Sequence, residues 1–300
     1  MAEASHDAPG NVLAPIPTGI FLAHQGSGDS GELWYTQFVN NSWTKDALVS
    51  NTGMSENPSV GIYNGLIYVF HQGLKHDGTL WYSVFDGRTW RRDAQVPGTG
   101  MSAGPSVLVF NSLLYCFHQG FGNDGTLWFN VFNGNNWLGD LEVPQTGMSA
   151  SPSAVVFQNQ LYVFHQGQKN DGQLWYNIFD GQRGWIGDKQ VPKTGLSAGP
   201  SAIVFNNRIL CFHQGSDNDG ELWYNTFDPS RGWTGDQRVP NVGMSASPSV
   251  VNNRGTLYVF HHGSNNDGEL WYTTSTDGNN WANDTRIDNI GITSGPGAVA

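Results

Sequence analysis

Apolar and polar positions along the chain alternate in short runs that are typical of β-strands. In the middle of the chain, the runs SAVVF (153–157), LYVFHQ (161–166) and LWYNIF (174–179) are each followed by a turn-forming segment rich in Gly, Asn, Asp or Gln. A weaker fourth run extends from Trp185 to Val191. The pattern therefore predicts four short strands joined by turns.

The third of these runs is apolar on both of its sides. Successive side chains of a strand point to opposite faces, so Leu174, Tyr176 and Ile178 share one face while Trp175 and Phe179 share the other. Large apolar groups on both faces predict a sheet that is covered from both sides.

The same four runs recur six times. The tripeptide His-Gln-Gly, or His-His-Gly in the last copy, recurs in steps of 47 or 48 residues. Each copy continues with Asp-Gly-x-Leu-Trp-(Tyr/Phe), except that Ser30 replaces the aspartate in the first copy, and then with a second Trp followed three residues later by Asp. The segment Gly-Met-Ser-x-x-Pro-Ser joins the copies, with Leu196 in place of Met once. We number the repeats one to six by their histidines, which are His24, His71, His118, His165, His213 and His261.

Four strands in each 40–50 residues are typical of a propeller blade. The chain begins with the second strand of a unit (20–26) and ends with a first strand (295–300) that has no successor. We therefore predict an all-β fold, a six-bladed β-propeller with four antiparallel strands per blade, closed by pairing of the N- and C-terminal segments. Residues 1–19 are predicted to form an N-terminal arm, and residues 20–300 a single propeller domain.

Composition and charge narrow the classes of partner. Charged residues make up 13% of the chain, aromatic residues 13%, and there are 39 glycines, which suits a β-rich, turn-rich protein. The net charge of −11 and the lack of a basic run argue against nucleic acid as a partner. No run approaches the ~18 apolar residues of a membrane span, so no membrane insertion is expected.

Cysteine content and the first residues bear on location. Two cysteines cannot form a disulfide framework, and Cys116 and Cys211 are predicted to be buried thiols. No apolar signal region is visible in the first nineteen residues. We therefore expect a cytoplasmic protein, or one exported without a conventional signal peptide.

Two marked loops of each repeat are predicted to share one face of the propeller. They are the His-Gln-Gly-x-x-Asn-Asp-Gly loop and the Gly-Met-Ser-x-x-Pro-Ser segment that crosses to the next repeat. Together they would line each interblade cleft with amides, carboxylates, hydroxyls and a tryptophan. Amide and carboxylate groups suit the vicinal hydroxyls of a sugar, and a flat aromatic ring suits its C–H face.

The predicted sugar-binding residues come from these loops. A structural role is the alternative for each of them, because Asp-Gly is an ordinary turn former and the tryptophans could be interblade core. The candidates are Trp34, Trp81, Trp128, Trp175, Trp223, Trp271, Asp77, Asp124, Asp171, Asp219, Asp267, Asn123, Asn170, Asn218, Asn266, Gln72, Gln119, Gln166 and Gln214. We expect the first repeat, with Ser30 for Asp, to bind most weakly.

Other repeated residues are assigned structural roles. The six histidines are too far apart around a ring to share one metal ion, so they are predicted to be bonded core residues. The second tryptophans and their aspartates are also predicted to be structural, although which tryptophan of a unit contacts ligand stays open. No metal and no cofactor are expected.

Catalysis is disfavoured because the repeats are too alike to reveal one special constellation. The segment from Ser275 to Trp281 resembles a degenerate Asp-box of sialidases, which is a turn motif. We predict that the protein is not an enzyme.

The combined pattern LYVFHQG, NDGxLWY, Trp, Asp and VPxTGMSxxPS resembles the bacterial propeller lectins of the Photorhabdus type. The resemblance covers nearly the whole chain, and it implies binding of L-fucose and O-methylated sugars in clefts between blades. That family is typically seven-bladed, whereas this chain has six repeats.

The predicted function is a multivalent lectin with repeated interblade sites for L-fucose or for O-methylated or N-acetylated terminal sugars such as N-acetylglucosamine. Its expected partners are glycans or glycoconjugates on cell surfaces, and a homo-oligomer is left open. A protein-binding propeller scaffold is the alternative, and a glycosidase is a weaker one. Near-identity of the cleft residues favours the lectin, because a scaffold usually differentiates its blades.

Overall fold

The chain folds as an all-β propeller. The computed structural model describes residues 19–300, so the predicted arm lies outside the described residues apart from Gly19. In chain order the strands are β1 Ile20–Gln25, β2 Glu32–Val39, β3 Ser42–Trp43, β4 Ala47–Tyr63, β5 Leu66–Gly73, β6 Thr79–Phe85, β7 Trp90–Gly100, β8 Ser106–Phe110, β9 Leu113–Gln119, β10 Thr126–Phe132, β11 Trp137–Gly147, β12 Ser153–Phe157, β13 Gln160–Gln166, β14 Gln173–Asp180, β15 Gly184–Trp185, β16 Lys189–Gly195, β17 Ser201–Phe205, β18 Arg208–Gln214, β19 Glu221–Asp228, β20 Gly232–Trp233, β21 Gln237–Gly243, β22 Ser249–Asn253, β23 Thr256–His262, β24 Glu269–Ser275, β25 Thr285–Gly291 and β26 Gly297–Val299. Short 3-10 helices span Ser216–Asn218 and Ser264–Asn266.

Consecutive strands pair antiparallel in up-and-down sheets. Four such sheets are formed by β8–β11, β12–β16, β17–β21 and β22–β25. A larger sheet has the order β26-β1-β2-β4-β5-β6-β7, with β3 beside β2. Its long strand β4 pairs with β2 near its start and with β5 near its end, so it serves two four-stranded groups.

Two-residue turns join the first and second strands of most repeats. At Gln158-Asn159 both residues have positive φ (49° and 61°), and Asn206-Asn207 repeats this geometry (49° and 57°). Two successive positive φ values characterise the turn that matches the twist of paired strands, and asparagine tolerates them. The amide-rich turns seen in the sequence therefore fix the strand register.

The core lies between neighbouring sheets, as the two apolar faces of the third strand predict. Leu174 and Ile178 are buried in a cluster that includes Ile209 and Cys211 of the fifth repeat. Phe179 packs on the opposite side, in a cluster with Phe117 of the third repeat. Each sheet is thus stabilised by apolar contacts with both neighbours.

The outermost strand differs from the prediction. The run from Trp185 to Val191 is divided between β15 and β16. Gly187 lies at the break with a φ of 109°, and its N–H donates to Asn177 Oδ1 at 3.1 Å. The outermost strand therefore bends at Gly187, where the backbone N–H bonds the buried side chain of Asn177 instead of a carbonyl of the neighbouring strand.

The first strands surround a central cavity of about 170 Å³ that is lined by the Pro-Ser pairs. Ser153 Oγ accepts the N–H of Ala202 in the next repeat at 2.9 Å. The serines Ser59, Ser106, Ser201 and Ser249 make the same contact to the following repeat. This part of the joining segment holds neighbouring sheets together.

Candidate functional site

The tryptophan after each Asp-Gly turn is fixed by the aspartate of that turn. The indole N–H of Trp223 donates to Asp219 Oδ2 at 2.8 Å, while Asp219 Oδ1 accepts the N–H of Glu221 at 2.9 Å. The same indole contact joins Trp81 to Asp77, Trp128 to Asp124, Trp175 to Asp171 and Trp271 to Asp267. These tryptophans are half-buried, so part of each ring faces solvent in a fixed orientation.

The first repeat replaces this contact. Trp34 Nε1 donates to Glu32 Oε2 at 3.3 Å, while Ser30 Oγ accepts the N–H of Glu32 at 3.3 Å. The tryptophan of the first repeat is therefore also held, although its aspartate is missing.

The predicted asparagines lie on the exposed rim of the same loops. The backbone N–H of Asn170 donates to Ser149 Oγ at 2.8 Å, and φ of this residue is 52°. Asn123, Asn218 and Asn266 make the equivalent contact to the preceding loop. Within residues 19–300 the four side-chain amides make no hydrogen bond, so they are available to a ligand.

The predicted glutamines lie in the interior instead. Gln166 is 3% exposed, and its amide N–H donates to the carbonyl of Leu196 at 3.0 Å. Gln72, Gln119 and Gln214 donate in the same way to the joining segment that follows them. In the structure these side chains tie the loop to its neighbour, and sugar binding by them stays a prediction.

The repeated histidines are bonded core residues, as predicted. His165 is fully buried, with Nδ1 3.1 Å from the carbonyl oxygen of Gln166 and Nε2 3.0 Å from Asp188 Oδ1. The other five histidines pair with the aspartates of their own units, Asp46, Asp93, Asp140, Asp236 and Asp284. No group of three or more metal-ligating side chains occurs among the described residues.

The second tryptophans pack between repeats. Trp233 stands edge-on to Phe164 of the preceding repeat, with ring centroids 5.8 Å apart, and also contacts Tyr176. The indole N–H groups of Trp43, Trp90, Trp137, Trp233 and Trp281 are buried without a hydrogen-bond partner among the described residues. A water molecule or a ligand hydroxyl in the cleft would satisfy these donors.

A large cleft lies between the sixth and first repeats. It has a volume of about 1170 Å³ and is lined by both tryptophans of the first repeat, Trp34 and Trp43, and by Tyr272, Asn289 and Gly291 of the sixth. Aromatic surface, amides and hydroxyls therefore meet in one interblade cleft, as the sequence predicts for all six.

Two other predicted features are structural. Asp277, in the Asp-box-like segment, accepts the N–H groups of Asn279 and Asn280, and these bonds hold the pKa of its carboxyl well below the ordinary value. Cys116 and Cys211 are buried, as predicted, and burial raises the pKa of both thiols. Neither feature adds a reactive group to the clefts.

The sequence comparisons are negative. No protein-family model and no curated protein matches the chain. The resemblance to Photorhabdus-type lectins therefore has no support from them. No helix in the described residues is long and apolar enough to cross a membrane.

Solved structures share the fold at low identity. AofleA from Arthrobotrys oligospora, a mutant form, superposes with a TM-score of 0.70 at 13% identity, covering 96% of this chain and 87% of that one. The Aleuria aurantia lectin, described as a six-bladed β-propeller with a fucose recognition mode, has a TM-score of 0.63 at 16% identity, covering 86% and 88%. An α-L-arabinofuranosidase from Clostridium thermocellum reaches 0.54 at 14% identity, covering 81% and 97%. These likenesses establish the propeller fold.

Proposed function

We propose that the protein is a multivalent carbohydrate-binding lectin, built as a closed six-bladed propeller. Six repeats supply the strands, and β26 pairs with β1 through Phe21 and Val299, Leu22 and Ala298, and Ala23 and Gly297. This pairing joins the last strand of the chain to the first and supports a closed ring. The six-bladed description of the Aleuria aurantia lectin agrees with the repeat count.

The observation that carries the lectin proposal is the repeated interblade cleft. Each repeat presents a half-buried tryptophan whose indole is fixed by a carboxylate. Four of the repeats add an exposed asparagine amide on the same loop. A fixed aromatic surface beside unpaired polar groups suits the two faces of a pyranose, and the repeat predicts several such sites per chain.

The proposed ligands are L-fucose or terminal O-methylated or N-acetylated sugars on cell-surface glycoconjugates. Support for fucose comes from the names of the structural neighbours, among them an Aleuria aurantia lectin complex with α-methyl-L-fucoside. We further propose a cytoplasmic location or export without a conventional signal, and self-association stays open.

We also propose that the protein is not an enzyme. The arabinofuranosidase among the structural neighbours means that the fold alone does not decide the matter. The turn carboxylates support binding rather than catalysis, because Asp219 and Asp267 each accept a backbone N–H with one oxygen and an indole N–H with the other.

A glycan array probed with the purified chain tests the function. We expect binding to several terminal monosaccharides of one stereochemical class, reduced when Trp223 and Trp271 are both replaced by Leu. A folded chain that binds no glycan on the array would contradict the lectin proposal and favour the protein-binding scaffold.

A further inference from the structure

One variable residue of the loop lies against the preceding repeat. It is the third residue after the repeated histidine, and it meets one or both of two glycines of that preceding repeat, one in the Asp-Gly turn and one at the end of the last strand. The residue is Ser27, Leu74, Phe121, Gln168, Ser216 and Ser264 in the six repeats.

In three repeats this side chain covers both glycines. A Cβ added to Gly53 would lie 2.9 Å from Leu74 Cβ, and one added to Gly31 would collide with the end of the same leucine. Phe121 covers Gly78 and Gly100 in the same way, and Gln168 covers Gly125 and Gly147. Gln168 is also tied down, because its amide donates to the carbonyl of Gly125 at 3.3 Å.

In the other three repeats the turn glycine is left uncovered. Ser216 reaches only Gly195, where an added Cβ would lie 3.1 Å from the serine Cβ, while Gly172 has no side chain within 4 Å. Ser264 likewise reaches Gly243 but not Gly220, and Ser27 reaches Gly291 but not Gly268. The cleft of about 1170 Å³ lies behind Ser27 and belongs to this open class.

A second position divides the repeats in the same way. The residue after the Asp-Gly turn is Glu32, Glu221 or Glu269 in the three repeats that carry serine, and Thr79, Thr126 or Gln173 in the others. It lies two residues before the tryptophan on the same strand, so both side chains are on one face. Thr79 and Thr126 use their hydroxyls to accept the neighbouring indole N–H at 2.6 Å. Glu32 accepts the Trp34 N–H at 3.3 Å with one carboxylate oxygen, and Glu221 lies 3.4 Å from Arg238 near the surface.

We propose, on the basis of the lectin function above, that the six clefts form two classes and that three of them bind saccharide. The binding clefts are those behind Ser27, Ser216 and Ser264, with Trp34, Trp223 and Trp271 as the aromatic surfaces and the three glutamates as hydroxyl acceptors. Leu74, Phe121 and Gln168 occupy the corresponding space in the other clefts.

This assignment reverses the expectation that the first repeat binds most weakly. Glu32 holds Trp34 in place of the missing aspartate, and Ser27 leaves the cleft open. The three open clefts are adjacent, between the fourth and fifth, fifth and sixth, and sixth and first repeats.

Fluorine NMR on protein labelled with 5-fluorotryptophan tests the proposal cleft by cleft. The twelve resonances are assigned by single Trp→Phe variants, and methyl α-L-fucoside is titrated as the probe, with N-acetylglucosamine as a second one. We expect Trp34, Trp223 and Trp271 to shift with saturation, and Trp81, Trp128 and Trp175 to stay unmoved. Equal shifts of all six would overturn the two classes while leaving the lectin function intact.

Exchange of the covering residue provides the reciprocal test. Leu74→Ser should make Trp81 a fourth responding resonance, and Ser216→Phe should abolish the response of Trp223 alone. Leu138→Ser, at a leucine that is 57% exposed on β11, is the matched control and should leave all shifts as in the parent chain. If the Trp81 resonance does not shift in the folded Leu74→Ser variant, the proposal that Leu74 blocks the cleft is wrong.

Absence of binding to every sugar on the glycan array would overturn the lectin function itself, and the inference with it.

Discussion

At the scale of single residues, the side chains that resemble catalytic or metal-binding groups are used to hold loops. Each of the six repeated histidines contacts a carboxylate that is itself only slightly exposed, 10–17% for the six aspartates. Each of the five turn aspartates has one oxygen on a backbone N–H and the other on an indole. What remains for a ligand is the aromatic surface and the free amides.

His262 gives a pH-dependent prediction at this scale. It stands where the other repeats have glutamine, is 2% exposed, and its Nε2 accepts the N–H of Gly268 at 2.9 Å. Burial lowers the pKa of His262 below its ordinary value of 6.5. The unfolded chain therefore binds the proton more readily, so this residue destabilises the fold as the pH falls below about 6.5. We expect His262→Gln to match the parent chain in Tm at pH 8 and to exceed it at pH 5; an equal Tm difference at both values would contradict the titration.

The turn aspartate gives a second prediction. Asp219 uses both carboxylate oxygens as acceptors, one for a backbone N–H and one for the Trp223 indole. Asparagine has one acceptor oxygen, so Asp219→Asn leaves one donor unpaired and should lower the free energy of unfolding by about 1 kcal/mol. Asp217→Asn in the same loop is the control, because its exposed side chain makes no hydrogen bond within residues 19–300. Equal urea midpoints for the two variants would show that the turn does not depend on the carboxylate.

At the scale of strands, the sequence predicts inner elements well and the outer rim poorly. The runs 153–157, 161–166 and 174–179 match β12, β13 and β14 to within one residue at each end, because alternation and turn chemistry are local. The division of the fourth strand at Gly187 was not predictable, since it depends on a hydrogen bond to Asn177 from a different strand. The contact of Leu74 with the glycines of the preceding repeat was also not predicted, because it joins different repeats. The sequence does show that this position varies between repeats while the His-Gln-Gly before it is nearly constant.

The terminal strand carries a prediction at the scale of elements. Removal of residues 295–300 deletes β26 and exposes the free edge of β1, whose side chains are all buried. An uncovered apolar edge favours association between chains, so we expect a lower Tm and aggregation on size-exclusion chromatography. Removal of Ala300 alone, an exposed residue after the strand, is the control. If the chain ending at Ser294 melts like the parent, the pairing does not stabilise the fold.

At the scale of the whole molecule, the residues that precede the prolines around the central cavity alternate in size from one repeat to the next. The residue before each axial proline is Asn57, Gly104, Ser151, Gly199, Ser247 and Gly295 in turn, so a side chain and a glycine alternate. A Cβ on Gly199 would lie 2.6 Å from the carbonyl oxygen of Ser151 and 2.9 Å from Ser247 Oγ. The glycines Gly104, Gly199 and Gly295 are therefore crowded by the residues of other repeats, which is a constraint that no single repeat shows.

Gly199→Ser tests this packing. The added side chain meets backbone on one side, which cannot move aside cheaply, and overpacking of this kind typically costs about 1–3 kcal/mol. Gly181→Ser is the matched control, because an added Cβ there meets nothing within 4 Å. Chemical denaturation should show a lower midpoint for the first variant and an unchanged one for the second; identical midpoints would mean that the axis is not crowded.

Multiplicity should also decide how strongly the protein binds a glycan-coated surface. A shallow, wet monosaccharide site is weak, because few ligand atoms contribute. Several sites on one rigid ring let a second contact form at high effective concentration, so avidity can exceed single-site affinity by about 10²–10⁴. We therefore expect agglutination of glycan-coated beads far below the monosaccharide dissociation constant measured by calorimetry, and undiminished activity in EDTA, since no metal is expected in the clefts. Loss of agglutination in EDTA would contradict the metal-free site. Equal potency of monovalent and multivalent glycans as inhibitors would contradict simultaneous use of the clefts, whether three or six of them bind.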